Sequence, residues 1–381
     1  MRSAIPSAAR PDIAELLERR TAANERFFAD EAGRIAELCR LLADRFLEGG
    51  RLLACGASAQ DRSDARHVAV EFAHPVIVGK RALPGLAVVP EDLALLADPG
   101  DAVIIFGGPL AAETIRGREC LTVGFEPGAA EWVFEPPTDD PFVAQELIET
   151  LYHVLWELVH VFFEHAGRAG RDGGASSFLY PFLSGRSGEA GSVVEDVRRS
   201  ILLKAHQVGE LRERTLLDGR EGLEAAATTL REHLGAGGTL LAFGNGGSAT
   251  DAMDLVADFR AAPQGWKGRR CLDLTDDPAI LTALANDIGP GVLYSRQLIA
   301  YGRPGDVALA LSTSGGSVNI VEALAVARKR GLATIALVGY DGGRIAAEGL
   351  ADHVITVPSE YVPRIQEAQA SAYHVLRELV G

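Results

Sequence analysis

Gln145–Val159 reads QELIETLYHVLWELV, and Gln366–Val380 reads QEAQASAYHVLRELV. Nine of these fifteen positions are identical. A shared amphipathic period explains apolar residues at matching places, but not the repeated Gln-Glu and Tyr-His pairs. The two segments therefore mark an internal duplication with a period near half the chain. They also set its register.

The opposite ends of the two halves repeat more weakly. Leu41–Ser58 reads LLADRFLEGGRLLACGAS and Leu230–Ser248 reads LREHLGAGGTLLAFGNGGS. Each is a helix pattern ending in Gly-Gly, which suits a C-cap, then a short apolar strand and a turn of small residues. Between these ends both halves alternate strand-like and helix-like stretches. The second half predicts strands at Thr239–Phe243, Arg270–Leu274, Val307–Leu311, Thr334–Leu337 and His353–Val357. The first predicts shorter ones at Arg51–Cys55, Ala87–Val89, Ala102–Phe106, Cys120–Val123 and Trp132–Phe134.

Strands joined by crossover helices form a parallel sheet covered on both faces, wound right-handedly. The expected fold class is α/β, with two doubly wound parallel-sheet sandwiches. Long helical segments at Asp12–Leu47 and Ser192–Leu234 are expected to pack between them. The division predicted is a first domain over 1–166, a linker over 167–191 and a second domain over 192–381. The linker is rich in Gly, Ser and Arg, and its Phe178–Phe182 stretch is expected to dock on a surface.

A chain of 381 residues, 47% hydrophobic and 23% charged, fits two globular domains. The formal charge of −15 argues against broad binding to nucleic acid or to an anionic membrane. A small anion is still compatible with it, because helix N-termini bind phosphate through backbone amides. Cys39, Cys55, Cys120 and Cys271 show no C-x-x-C spacing, so neither a zinc knuckle nor a redox pair is indicated. Met1–Pro11 lacks an apolar secretory core, and no apolar run is long enough to span a bilayer. The expected location is the cytoplasm.

Two motifs carry chemistry. Phe243-Gly-Asn-Gly-Gly-Ser-Ala-Thr-Asp251 follows one strand and opens a helix. Its spacing is not that of a dinucleotide fingerprint. Gly246 and Gly247 let the backbone approach an anion, and Ser248 adds a hydroxyl. Leu311-Ser-Thr-Ser-Gly-Gly-Ser317 follows another strand and places Ser312, Thr313, Ser314 and Ser317 at a helix start. Either loop alone reads as a polar helix cap. Two at the C-terminal ends of strands in one sheet read as a phosphate cradle, since ligands of open α/β sheets bind there.

GNGGSATDAM, the Asn286-Asp287 pair, STSGGSVNI and RIQEAQASAYH resemble the phosphoheptose isomerase branch of the sugar isomerase (SIS) domain family. The resemblance spans Ser192–Gly381; the first half is similar only in its flanks and last helix. It implies interconversion of sedoheptulose 7-phosphate and an aldoheptose 7-phosphate, tetramers with sites at subunit interfaces, and zinc in several members. For this duplicated chain a family tetramer corresponds to a homodimer. The phosphate-binding serines map to Ser248, Ser312, Ser314 and Ser317, with Thr313 alongside. The substrate-contacting residues map to Asn245, Asp287 and Gln366, and the last-helix histidine to His374.

Two positions depart from that pattern. Asp254 and Asp258 stand where the family has His and Glu, and Pro363 replaces a common Asp. In the first half, aligning Asp64–Phe72 with Asp251–Phe259 puts His67 on Asp254 and Glu71 on Asp258. Gln145 and His153 complete the set there, while both loops have lost their serines. One half thus keeps the anion cradle and the other keeps His, Glu, Gln and His. This complementary loss predicts a composite site between the halves.

In an isomerase, Glu71 or Asp258 is the expected base, and His153 or His374 exchanges a proton with oxygen. His67, Glu71 and His153, with Gln145 as a weak oxygen ligand, are the expected zinc set. Gln145 and His153 are separated by about 12 Å along one helix, so ligands from different helices or subunits are expected. The competing class is a non-catalytic protein that binds a sugar phosphate or a protein partner.

Overall fold

The computed structural model of the chain describes residues 11–75, 80–107, 109–167, 190–261 and 266–381. Most of the expected linker, with Phe178–Phe182, lies outside them.

The first half runs α1 (Ile13–Leu47), β1 (Leu52–Gly56), α2 (Ala59–Ala73), β2 (Gly85–Val88), α3 (Pro90–Leu96), β3 (Ala102–Phe106), α4 (Pro109–Thr114), β4 (Leu121–Gly124), β5 (Trp132–Val133) and α5 (Pro141–Gly167). The second runs α6 (Ala190–Glu213), α7 (Arg220–Gly235), β6 (Leu240–Phe243), α8 (Gly247–Arg260), β7 (Cys271–Asp273), α9 (Pro278–Asp287), α10 (Leu293–Tyr301), β8 (Val307–Ser312), α11 (Val318–Lys329), β9 (Ala333–Val338), α12 (Gly343–Ala347), β10 (His353–Thr356) and α13 (Val362–Val380).

All the strand pairs are parallel, and the two sheets share one order, β2-β1-β3-β4-β5 and β7-β6-β8-β9-β10. Identical topology is what a duplication requires. Each predicted strand is present within a residue or two, and β3 and β8 are buried along their whole length. In each half the chain leaves its first strand (β1 or β6) toward one edge and returns on the other side. The crevice between β6 and β8 is therefore a topological switch point.

One expected segment differs. Ser192–Leu234 is not a single helix: it breaks at a π turn, Arg214–Asp218, and at Gly219. A Cβ on Gly219 would sit 2.4 Å from the Thr215 carbonyl oxygen, so only glycine fits this bend.

The long helices do pack between the halves. Val193, Val197, Ile201 and Ala205 of α6 enter the core of the first half. Ile13, Leu16 and Leu17 of α1 enter that of the second. Each half thus donates a helix to the other's core. At the centre, α2 lies on α8, and Arg66 Nη1 reaches its repeat counterpart Met253 Sδ at 3.4 Å. Contact between equivalent residues identifies a pseudo-twofold axis.

Candidate active site at the junction of the halves

The two candidate loops follow neighbouring strands. β6 ends at the Gly-rich loop, where Gly246 takes φ 58° and precedes the first turn of α8. β8 ends at the serine loop, and Ser317 is the residue before α11. Neither N-cap residue, Gly246 or Ser317, caps its helix with a side chain, which leaves first-turn backbone N–H groups for an anion. β6 and β8 are neighbours, and a double amide pair ties their loops together. Asn245 Nδ2 donates to Asn319 Oδ1 at 3.0 Å, and Asn319 Nδ2 donates to Asn245 Oδ1 at 2.8 Å. Asn245, expected as a substrate contact, therefore braces the loops. Ser248 and Ser312 are buried, and the Ser314 hydroxyl is exposed. Asp287 is exposed at the end of α9, where it accepts a bond from Asn286.

The first half treats the same place differently. Ser58 caps α2 in a full capping box with Asp61. Asp61 occupies the repeat position of Ser248. Its carboxylate fills the space beside Gly107, where an added Cβ would meet Asp61 Oδ2 at 2.3 Å. The chain thus supplies its own anion where the second half leaves room for an external one.

Behind the Gly-rich loop stands a cluster drawn from both halves. His67 Nε2 lies 3.2 Å from His153 Nε2 and 3.1 Å from Gln366 Nε2. Glu71 Oε1 is 3.9 Å from His67 Nε2, one turn further along α2. His67 Nδ1 faces the Tyr152 hydroxyl at 3.1 Å and Asp251 Oδ1 at 3.4 Å. His153 Nδ1 pairs with Glu367 Oε1 at 3.0 Å, and Arg364 holds Glu367 in turn. A Cβ on Gly247 would fall 1.9 Å from Gln366 Nε2 and 3.0 Å from His67 Nε2. Any side chain at position 247 would displace the Gln366 amide from this place.

Both histidines are fully enclosed, and burial lowers their affinity for a proton. With His153 nearby, His67 sits well below the ordinary imidazole range. Burial and the Arg364 charge push His153 down to about 3. Burial, then Glu157, pushes the Glu71 carboxyl up to about 8.

The pseudo-twofold axis generates a second cluster from Asp254, Asp258 and His374, with their ligand-type atoms within 4.8 Å of one another. His374 Nδ1 donates to Glu146 Oε1 at 3.0 Å, repeating the His153–Glu367 pair. Its Nε2 is 3.2 Å from Asp258 Oδ2 and 3.5 Å from Asp254 Oδ2. Burial opposes a charge on His374, but Asp254, Asp258 and Glu146 outweigh it and hold the imidazolium well above its ordinary range. Burial and Asp254 push Asp258 up to about 6. Phe142 stacks on the His374 ring at 4.8 Å. This cluster carries its own cation, where the first has two neutral imidazoles.

Gln145 is not gathered with His67, Glu71 and His153. It donates to Asp64 Oδ1 at 3.0 Å, and Gln366 takes the expected place. The reason is the crossing of the last helices, which brings each glutamine to the other half's cluster. Asp258 and His374 likewise belong to the second cluster, apart from Glu71 and His153. Sequence reasoning missed Glu149, Asp251, Glu367 and Asp61. The repeat held a signal for Glu146 and Glu367, since Gln-Glu is identical in both copies.

The SIS domain family model matches residues 205–339. A phosphoheptose isomerase of Geotalea daltonii is 44% identical over 159 residues, covering 42% of this chain and 82% of that protein. The chain belongs to the SIS domain family. The phosphoheptose isomerase of Geobacter sulfurreducens is 40% identical over 192 residues, which is 49% of this chain and 97% of that protein. These relatives match about half of the SIS chain described here. The tandem arrangement has a counterpart in the C-terminal domain of glucosamine-fructose-6-phosphate aminotransferase from Francisella tularensis. That structure covers 99% of this chain with TM-score 0.59 at 9% identity, a likeness of fold. Among the described residues no helix is long and apolar enough to cross a membrane.

Proposed function

We propose that the chain is an aldose–ketose isomerase acting on a sugar phosphate. The favoured substrate pair is sedoheptulose 7-phosphate and an aldoheptose 7-phosphate. The observation that carries this reading is the abutment of the Gly247 loop on His67 and Gln366. It sets an uncapped anion cradle from one half against neutral histidines and an orphaned carboxylate from the other.

Free N–H groups at α8 and α11, with Ser248, Ser312, Thr313, Ser314 and Ser317, hold the phosphate. Glu71 Oε2 is buried without a hydrogen-bond partner. It takes the proton from one carbon of the enediol pair and returns it to the neighbouring carbon. The hydroxyl proton moves to the former carbonyl oxygen, so the sugar is rearranged with no external oxidant.

A divalent cation fits the first cluster. His153 donates through Nδ1, so its Nε2 presents a lone pair to His67 Nε2 at 3.2 Å. Two neutral nitrogens repel at that distance unless a proton or a cation lies between them. The spacing matches the ~3.3 Å between two imidazole nitrogens on one tetrahedral zinc. His67 and His153 would hold the ion, with Gln366 rather than Gln145 as the amide ligand. When bound, zinc supplies Lewis-acid polarisation of the carbonyl.

Two further features support the working context. The four cysteines are free and buried, which suits a reducing cytoplasm. Helix α9 has no fully buried residue, and Ile288 beside it is 54% exposed. A second copy of the chain would cover such a face, giving the homodimer that corresponds to a family tetramer.

The test is incubation of the full chain with sedoheptulose 7-phosphate in deuterated water. Deuterium at the carbon beside the carbonyl and formation of an aldose support the reading. Tight binding with no exchange would instead make the chain a sugar-phosphate-binding regulator.

A further inference from the structure

Glu149 lies on α5 one turn before His153, and it is fully buried. Both of its carboxylate oxygens lack a hydrogen-bond partner. The repeat counterpart is Ala370, so the duplication does not require a carboxylate here. Its surroundings make the charge costly. The strongest charge effects on it come from Asp251, Glu367, Asp64 and Asp254, all acidic, and Arg212 is a cation that also acts on it. An isolated buried carboxylate is expensive unless a cation or a donor set meets it.

The position explains the charge. One ligand atom each of His67, Glu149 and His153 lies within 4.8 Å of the others. Glu71 is not in that trio; its Oε1 lies 3.9 Å from His67 Nε2. We infer that Glu149, and not Glu71, is the carboxylate that completes a divalent-cation site with His67 and His153. Two imidazoles and one carboxylate are a donor set for zinc, cobalt or iron rather than for calcium or magnesium. Glu71 is then free to move protons, as the isomerase reading requires. The inference rests on that reading for the cation's place in the site, but its test does not depend on turnover.

The experiment is a Co²⁺ titration of the chelator-stripped full chain, followed by visible absorption, with Zn²⁺ as competitor. Wild type is expected to bind one Co²⁺ per chain with a nitrogen- and oxygen-ligand spectrum. Glu149→Gln and Glu149→Ala are expected to weaken binding by at least about tenfold, and Glu71→Gln by less than about threefold. Without metal, Glu149→Ala is expected to melt at or above the wild-type temperature, because it removes a buried carboxyl with no hydrogen-bond partner at a position where the repeat has alanine. Unchanged Co²⁺ affinity in both Glu149 variants overturns the inference, as does a wild type that binds no Co²⁺. A wild type that exchanges substrate protons without Co²⁺ or Zn²⁺ uptake sinks this inference and leaves the isomerase reading standing. A Glu149-dependent Co²⁺ site in a chain that never exchanges protons upholds the inference and removes the isomerase reading.

Discussion

Gln366 Nε2 of α13 lies 3.1 Å from His67 Nε2 of α2, two groups separated by 299 residues. The contact joins the half that keeps the anion cradle to the half that keeps the histidines. A Cβ at position 247 would fall 1.9 Å from that Gln366 nitrogen. Gly247→Ala is therefore expected to push Gln366 aside and weaken sugar-phosphate binding by at least about tenfold, the loss of roughly one charge-assisted hydrogen bond. Calorimetric titration with a ketose 7-phosphate checks this.

Asp61 and Ser248 share a repeat position but not a role. The Asp61 carboxylate occupies the first half's anion position, so each chain is expected to bind one sugar phosphate. The same titration reads the stoichiometry, and two sites per chain would contradict this account of Asp61.

Arg20 is wholly buried, between Glu146 at 2.9 Å and Glu378 at 2.8 Å. It thereby ties α1 to α5 and to α13 of the other half. Arg20→Met removes the cation the two carboxylates share, leaving Glu146 to His374 and Arg212, and Glu378 to Arg19. The expected loss is about 3–5 kcal/mol, the usual cost of removing one partner from a buried ion pair. Urea denaturation measures it.

The His374 imidazolium gives stability a pH dependence. Its folded-state pKa lies above the unfolded value of 6.5, so the folded chain holds this proton more tightly. That contribution is complete below about pH 6.5 and is lost as pH rises through the folded value. Asp258 adds an earlier decline, between 3.8 and about 6. In metal-free protein, His374→Gln is expected to flatten the alkaline limb of stability relative to wild type. Denaturation at pH 6 and pH 9 in chelator compares the two slopes, and parallel slopes would remove His374 as the source.

Much of this was legible in the residues. The repeated last helix gave the duplication, and strand spacing gave both sheets, because hydrophobic period and turn chemistry are local signals. The approach of His67 to His153 was legible because α2 and α5 lie in one half, but the place of Glu149 rather than Glu71 beside them was not. The choice of Gln366 over Gln145 was not, since it depends on how α5 and α13 cross. Glu149 was hidden for a related reason: its meaning is the absence of a partner, which only packing reveals. The bend at Arg214–Gly219 interrupts a helix that periodicity carried straight through, because the close approach of the Thr215 carbonyl to Gly219 leaves no mark on an amphipathic pattern.

The composite site is tested most directly by His67→Ala, read for binding and chemistry together. His67 belongs to the half without an open cradle, so affinity for sedoheptulose 7-phosphate is expected to stay within about threefold of wild type. Solvent deuterium exchange is expected to fall by about a hundredfold or more, the usual scale for loss of a group acting in the transition state. Exchange at the wild-type rate in His67→Ala would contradict the account, because the second half would then be working alone.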